Sequence, residues 1–238
     1  MNSSYSSQAL EMGEVPVSEI DVDARATFIS RTYGHIFGAI ALFTGIEVAI
    51  FKSGVAEGLT QDMLQNWWMV LGGFVLVSWV ASHVAARARS LPVQYMALIG
   101  FVAIEALIFV PLLMIAETIA EGLIASAAIV TLGGFAGLTF IAFVTRKDFS
   151  FLGGFIKFGM FAAILAIVAG LIFGFQLGTF FAVAMVVLAA ASILYDPSNI
   201  LHHYPEDRYV SAALGLFASV AMMFWYVLRI MMAFASDD

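Results

Sequence analysis

The sequence predicts an all-α membrane protein with seven transmembrane helices, and three observations carry that prediction. Hydrophobic residues make up 62% of the 238-residue chain and charged residues 11%, far more apolar surface than a soluble core of this length can bury. Apolar runs of about 20 residues, the length a helix needs to cross a ~30 Å hydrocarbon layer, recur along the chain. Two basic hairpins, Arg87-Ala88-Arg89 and Arg146-Lys147, each separate a pair of such runs and so orient them in a bilayer.

The runs cover residues 31–51, 67–86, 92–115, 122–144, 151–175, 178–195 and 209–233. A polar loop, Lys52 to Asn66, closes the first, and Trp67-Trp68 open the second as members of an interfacial aromatic belt. The arginine hairpin ends the second run, the acidic pair Glu117 and Glu121 ends the third, and Thr145 to Ser150 ends the fourth. The fifth and sixth are divided only by Gln176-Leu177-Gly178. Residues 151–195 also read as one very long helix, but Gly170, Gly174 and Gly178 favour a break. The seventh follows the long stretch Asp196 to Arg208 and carries Trp225-Tyr226, which suit a belt or a lipid-facing surface. Gly34, Gly38, Ala41 and Gly45 of the first run, with Gly133, Gly134 and Gly137 of the fourth, are expected to let helix backbones approach closely.

With the N-terminus in the cytoplasm, Arg25, Arg31, Arg87, Arg89, Arg146, Lys147 and Arg208 all fall on the inner side, and Lys157 snorkels towards it. Only Lys52 and Arg229 lie outside, and seven spans place the C-terminus outside as well. The formal charge of −7 then belongs to the tail and outer loops and does not suggest a nucleic-acid partner. Residues 1–24 are Ser-rich and then acidic, without apolar periodicity. They read as a disordered acidic cytoplasmic tail, with residues 25–238 forming the transmembrane domain. No basic n-region precedes an apolar h-region, so the first transmembrane helix is expected to act as the insertion signal. Without cysteine, disulfides, thiol chemistry and thiolate metal sites are excluded.

Ionisable residues at membrane depth carry the functional information, because a charge there is costly. Glu47 follows Arg31 by 16 residues, ~24 Å along the first helix, and Glu105 lies mid-span in the third. With Arg229 they define one candidate ion path near the outer side. The plain alternative is that Glu47 pairs with Lys52 or Arg229. The cytoplasmic end gathers His35, His83, Asp148, Asp196, His202 and His203 near Arg87, Arg89, Arg146 and Lys147. That end suits pH sensing, against the plain reading of a wet interfacial belt. Adjacent histidines on a helix point ~100° apart, so His202-His203 suggest no metal site. No hydrolase, zincin, P-loop or dinucleotide-binding motif occurs, so neither an enzyme nor a cofactor is expected.

Three separated segments then resemble one family. Thr145-Arg-Lys-Asp-Phe-Ser-Phe-Leu-Gly-Gly154, Leu194-Tyr-Asp-Pro-Ser-Asn-Ile200 and Phe224-Trp-Tyr-Val-Leu-Arg229 look like the Bax inhibitor-1 family, particularly its bacterial YccA-like branch, collinear from about residue 25 onward. The resemblance implies seven transmembrane helices with the last one central and wrapped by the other six. It also implies a place in the bacterial inner membrane and two activities. One is modulation of an FtsH-type membrane AAA+ protease, which would engage the tail, residues 1–24. The other is a pH-sensitive leak with calcium as permeant ion, in which two aspartates share a proton and an arginine of the second helix holds the closed state. Asp196 matches the first aspartate, Ser219 stands where the second is expected, and the arginine is Arg87 or Arg89.

The orientation is directly testable. A reporter active only in the cytoplasm should work when fused after Arg89 or Arg146 and fail after Asp238. A cytoplasmic C-terminus overturns the seven-span orientation.

Overall fold

The computed structural model describes residues 16–88, 90–145 and 147–236, without the side chains of Arg87, His203 and several neighbours on the same helices. Arg89 and Arg146 therefore lie outside the described residues. Among the described residues there is no strand, only one isolated bridge between Pro16 and Pro205. After a 3-10 turn, Val17–Glu19, come α1 (Val22–Ser53), α2 (Ala56–Gln65), α3 (Trp67–Arg87), α4 (Leu91–Ile119), α5 (Leu123–Thr145), α6 (Leu152–Phe173) and α7 (Thr179–His203). A second 3-10 turn, Glu206–Arg208, precedes α8 (Tyr209–Ser236). Among the described residues, six helices are long and apolar enough to cross a membrane, and seven if the bent pair α2 and α3 forms one span. The protein is a multi-pass membrane protein.

Local chemistry sets the helix ends. The Asp21 Oδ1 accepts hydrogen bonds from the Asp23 N–H at 2.7 Å and the Ala24 N–H at 3.4 Å, capping α1. Gly54, at φ 77°, ends that helix in the left-handed conformation. Gly174, at φ 74°, does the same for α6, so the break expected between the fifth and sixth runs is present.

Two expectations are corrected. The segment Lys52 to Asn66 is not a loop, because strong helix formers wind Ala56–Gln65 into α2, which meets α3 at a bend of 94°. Nor is the expected disordered tail free over residues 16–24. Val17 is wholly buried, its N–H donates to the Tyr204 carbonyl at 3.0 Å, and the Arg25 guanidinium donates to the Ser18 carbonyl at 3.0 Å. These bonds order a segment whose composition alone gave no sign of it. Residues 1–15 lie outside the described residues.

The chain divides into two compact units, Met1–Pro111 with Asn199–Phe217, and Leu112–Ser198 with Ala218–Asp238. Inside the first, Phe43 packs edge-on against Phe109, with centroids 5.1 Å apart, and Phe101 packs edge-on against Phe217. Inside the second, Ala163, Met185 and Leu188 form a buried cluster against Ile156, Phe181, Met222 and Tyr226. Burial is uneven along the chain. Of the most apolar stretch, 67% is buried in the last helix but only 6% in α6, whose Phe155, Phe158 and Phe161 are exposed. Burial is greatest along the last helix, whereas α6 leaves aromatic side chains exposed.

Candidate functional site

The second unit holds the polar site that two of the sequence motifs build. Pro197 in α7 has no N–H, so the Ile193 carbonyl one turn earlier loses its helical donor. Around that proline the helix turns polar. The half-buried Asp196 accepts a hydrogen bond at its Oδ2 from the Ser219 hydroxyl of α8, at 2.7 Å. Ser198 donates from Oγ to the Asp148 Oδ1 at 2.8 Å and accepts from the Phe149 N–H at 3.2 Å. The Ser150 N–H also donates to the Asp148 Oδ1, at 2.8 Å. The loop before α6 is thus fastened to α7 through Ser198. A Cβ on Gly153 would come within 3.1 Å of the Tyr195 ring, and one on Gly159 within 2.6 Å of the Leu188 methyl, so glycine is what lets α6 lie against α7.

Sequence reasoning anticipated Asp196 and Ser219 but not what joins them. A shared proton needs two carboxylates, whereas here a hydroxyl donates to one. The arginine expected to hold Asp196 cannot be placed against it, because Arg89 and the Arg87 side chain lie outside the described residues.

The first unit contains a polar cluster that the sequence reading missed. Gln94 is wholly buried. Its Nε2 donates to the Asp207 carbonyl at 3.0 Å and the Ala88 carbonyl at 3.4 Å, and its Oε1 accepts from the Ser211 N–H at 3.2 Å. One amide side chain therefore ties the start of α4 to the start of α8. Beside it, the His35 Nδ1 lies 2.7 Å from the Arg31 carbonyl and its Nε2 lies 2.7 Å from the Tyr95 hydroxyl. A carbonyl only accepts, so Nδ1 carries the hydrogen there. The Arg31 guanidinium sits 5.4 Å over the Tyr209 ring. A glutamine or tyrosine inside an apolar run is a weak sequence signal; only its surroundings reveal its use.

The remaining candidates fall in both units. Glu47 and Glu105 are both buried in the first unit, and neither Glu47 oxygen has a hydrogen-bond partner among the described residues; the alternative pairing with Lys52 is not made. Arg229, exposed in the second unit, directs its Nη2 to the Leu177 carbonyl at 3.5 Å. His202 is exposed, and the His203 side chain lies outside the described residues. His83 stacks on Trp79 with centroids 5.2 Å apart.

Comparison with known proteins adds a family model and three relatives. The family model described as "Inhibitor of apoptosis-promoting Bax1" matches residues 25–236. Bax inhibitor 1 of Schizosaccharomyces pombe is 28% identical over 94% of this chain and 82% of its own length, and an uncharacterised protein of Pseudomonas aeruginosa is 32% identical over 88% and 92%. A shorter match, 33% identical over 40% of this chain and 42% of the relative, is to the modulator of FtsH protease YccA of Escherichia coli.

The Asp196 contact predicts a stability change. Ser219→Ala removes the donor and leaves a half-buried carboxylate oxygen without it, at an expected cost of about 1–3 kcal/mol, while Ser219→Thr keeps the hydroxyl and most of the stability. Thermal unfolding in detergent micelles measures both. An unshifted Ser219→Ala midpoint shows that the contact contributes nothing.

Proposed function

The chain belongs to the Bax inhibitor-1 family, and on that premise we propose that it is a multi-pass membrane regulator that modulates an FtsH-type membrane AAA+ protease. The observation that carries the reading is the similarity to the Escherichia coli relative named as such a modulator, a relative also named in another strain as an inner membrane protein. On this reading the protein resides in a bacterial inner membrane with the N-terminus in the cytoplasm and the C-terminus outside. The protease engages the acidic N-terminal segment, since pulling starts on unfolded chain. The docking of Val17 against Tyr204 confines that handle to the residues before Pro16.

That limit shapes the experiment. Removing residues 2–14 spares the Val17 contact and the Asp21 cap, whereas removing residues 2–24 destroys both and confounds handle with fold. With purified protease and a membrane-protein substrate in liposomes, the full chain should slow substrate degradation several-fold. The chain lacking residues 2–14 should keep its unfolding midpoint and lose the effect. Equal degradation with and without the full chain rejects the reading.

A cation leak is the second reading: Asp196 stands where the family's first aspartate is expected, and the group it meets on α8 is the Ser219 hydroxyl rather than a second carboxylate. Ser219→Asp places two carboxylates side by side, and like charges at that separation resist double ionisation. In calcium-dye liposomes the parent should leak calcium, and Ser219→Asp should shift the pH response of that flux upward. Flux absent from the parent, from Asp196→Asn and from Ser219→Asp at every pH rejects a leak through this site.

A further inference from the structure

We propose that the groove between α1 and α4 is a binding site for an anionic phospholipid, with the phosphate at Arg31 and one acyl chain lying along Gly34 and Gly38. The groove has a volume of about 450 Å³, within the range of sites that hold small organic ligands. Its two ends differ in chemistry. At one end stand Arg31, His35 and Tyr95; from there the lining becomes apolar through Gly34 and Gly38 to Leu42. Along α1, Gly38 lies ~10 Å and Leu42 ~16 Å beyond Arg31. The site is cationic at one end and apolar for the length of several methylenes, which is the complement of an amphiphile with a negative head.

The glycines support this reading. In the sequence they look like a packing stripe, but a Cβ built on Gly34, Gly38 or Gly45 meets nothing within 4 Å. They bring no neighbouring helix close; they leave a channel. Phe37 beside them is 68% exposed, so this face of α1 fronts the bilayer rather than the protein interior.

Arg31 gives the head its sign. Among the described residues no carboxylate pairs with its guanidinium, and its cation lies over the Tyr209 ring at 5.4 Å, which holds the group without using its N–H donors. The planar fork matches the oxygens of a phosphate two at a time. His35 has both ring nitrogens engaged, by the Arg31 carbonyl and the Tyr95 hydroxyl, so it leaves the head to the Arg31 guanidinium. A lipid is preferred over a free phosphate because most of the lining is apolar and gives an inorganic anion nothing to bind.

The test is native mass spectrometry of the full chain released from detergent with equimolar phosphatidylglycerol and phosphatidylcholine of identical chains. The parent should retain phosphatidylglycerol about five-fold in preference to phosphatidylcholine, the size of effect one interfacial arginine exerts. Arg31→Gln should abolish that preference while total retained lipid persists, and Arg31→Lys should keep part of it. Gly38→Leu fills the channel and should reduce retention of both lipids, with thermal unfolding confirming an intact fold. Unchanged preference in Arg31→Gln overturns the proposal, and so does displacement of the retained lipid by millimolar inorganic phosphate.

Discussion

A hydrocarbon layer holds no water to bond a stray polar group, and that constraint decides where this chain places the few it has. Each unpaired donor or acceptor costs several kcal/mol in such surroundings, so the polar side chains within the helices are drawn together. Gln94 uses both ends of its amide; Ser198 both donates and accepts; Asp196 takes the Ser219 hydroxyl. These contacts tie segments far apart in sequence, and they specify helix register more sharply than apolar packing, which tolerates sliding and exchange of similar shapes. Glu47, whose two oxygens lack a partner among the described residues, is one exception, and the Thr32, Thr131 and Thr139 hydroxyls are others.

Length and apolarity are visible in a sequence, and the spans were legible for that reason, down to the break at Gly174. Other features were not. The helix Ala56–Gln65 hid inside a polar segment because it is short and mixed in composition. The docking of Val17 rests on a backbone hydrogen bond, which leaves no trace in side-chain pattern. The glycines were legible only in part: a Cβ on Gly134 would touch Met223, but the tighter helix approaches are at Gly153 and Gly159, while Gly34 and Gly38 border open space. Spacing along one helix tells which residues share a face but says nothing of what stands opposite.

The site shows the same division between composition and pairing. That Asp196 would be important followed from its rarity at depth; that Asp148 and Ser198 would join two of the family segments did not, since 50 residues separate them. This joint gives the resemblance a physical meaning. In this chain each of the two segments satisfies polar groups of the other.

The bridge between Pro16 and Pro205 has a mechanical consequence. Tension applied at the N-terminus does not travel first into α1, because the chain is fastened beforehand, through Val17 and Tyr204, to the turn that leads into α8. A steady pull therefore loads the turn before α8 before it reaches α1. Two prolines have no N–H to add to the fastening, leaving it narrow, and a narrow clasp yields at modest force. Extraction would proceed in two stages: release of the clasp, a pause with the bundle whole, and only then the unwinding of α1 from Asp21 onward.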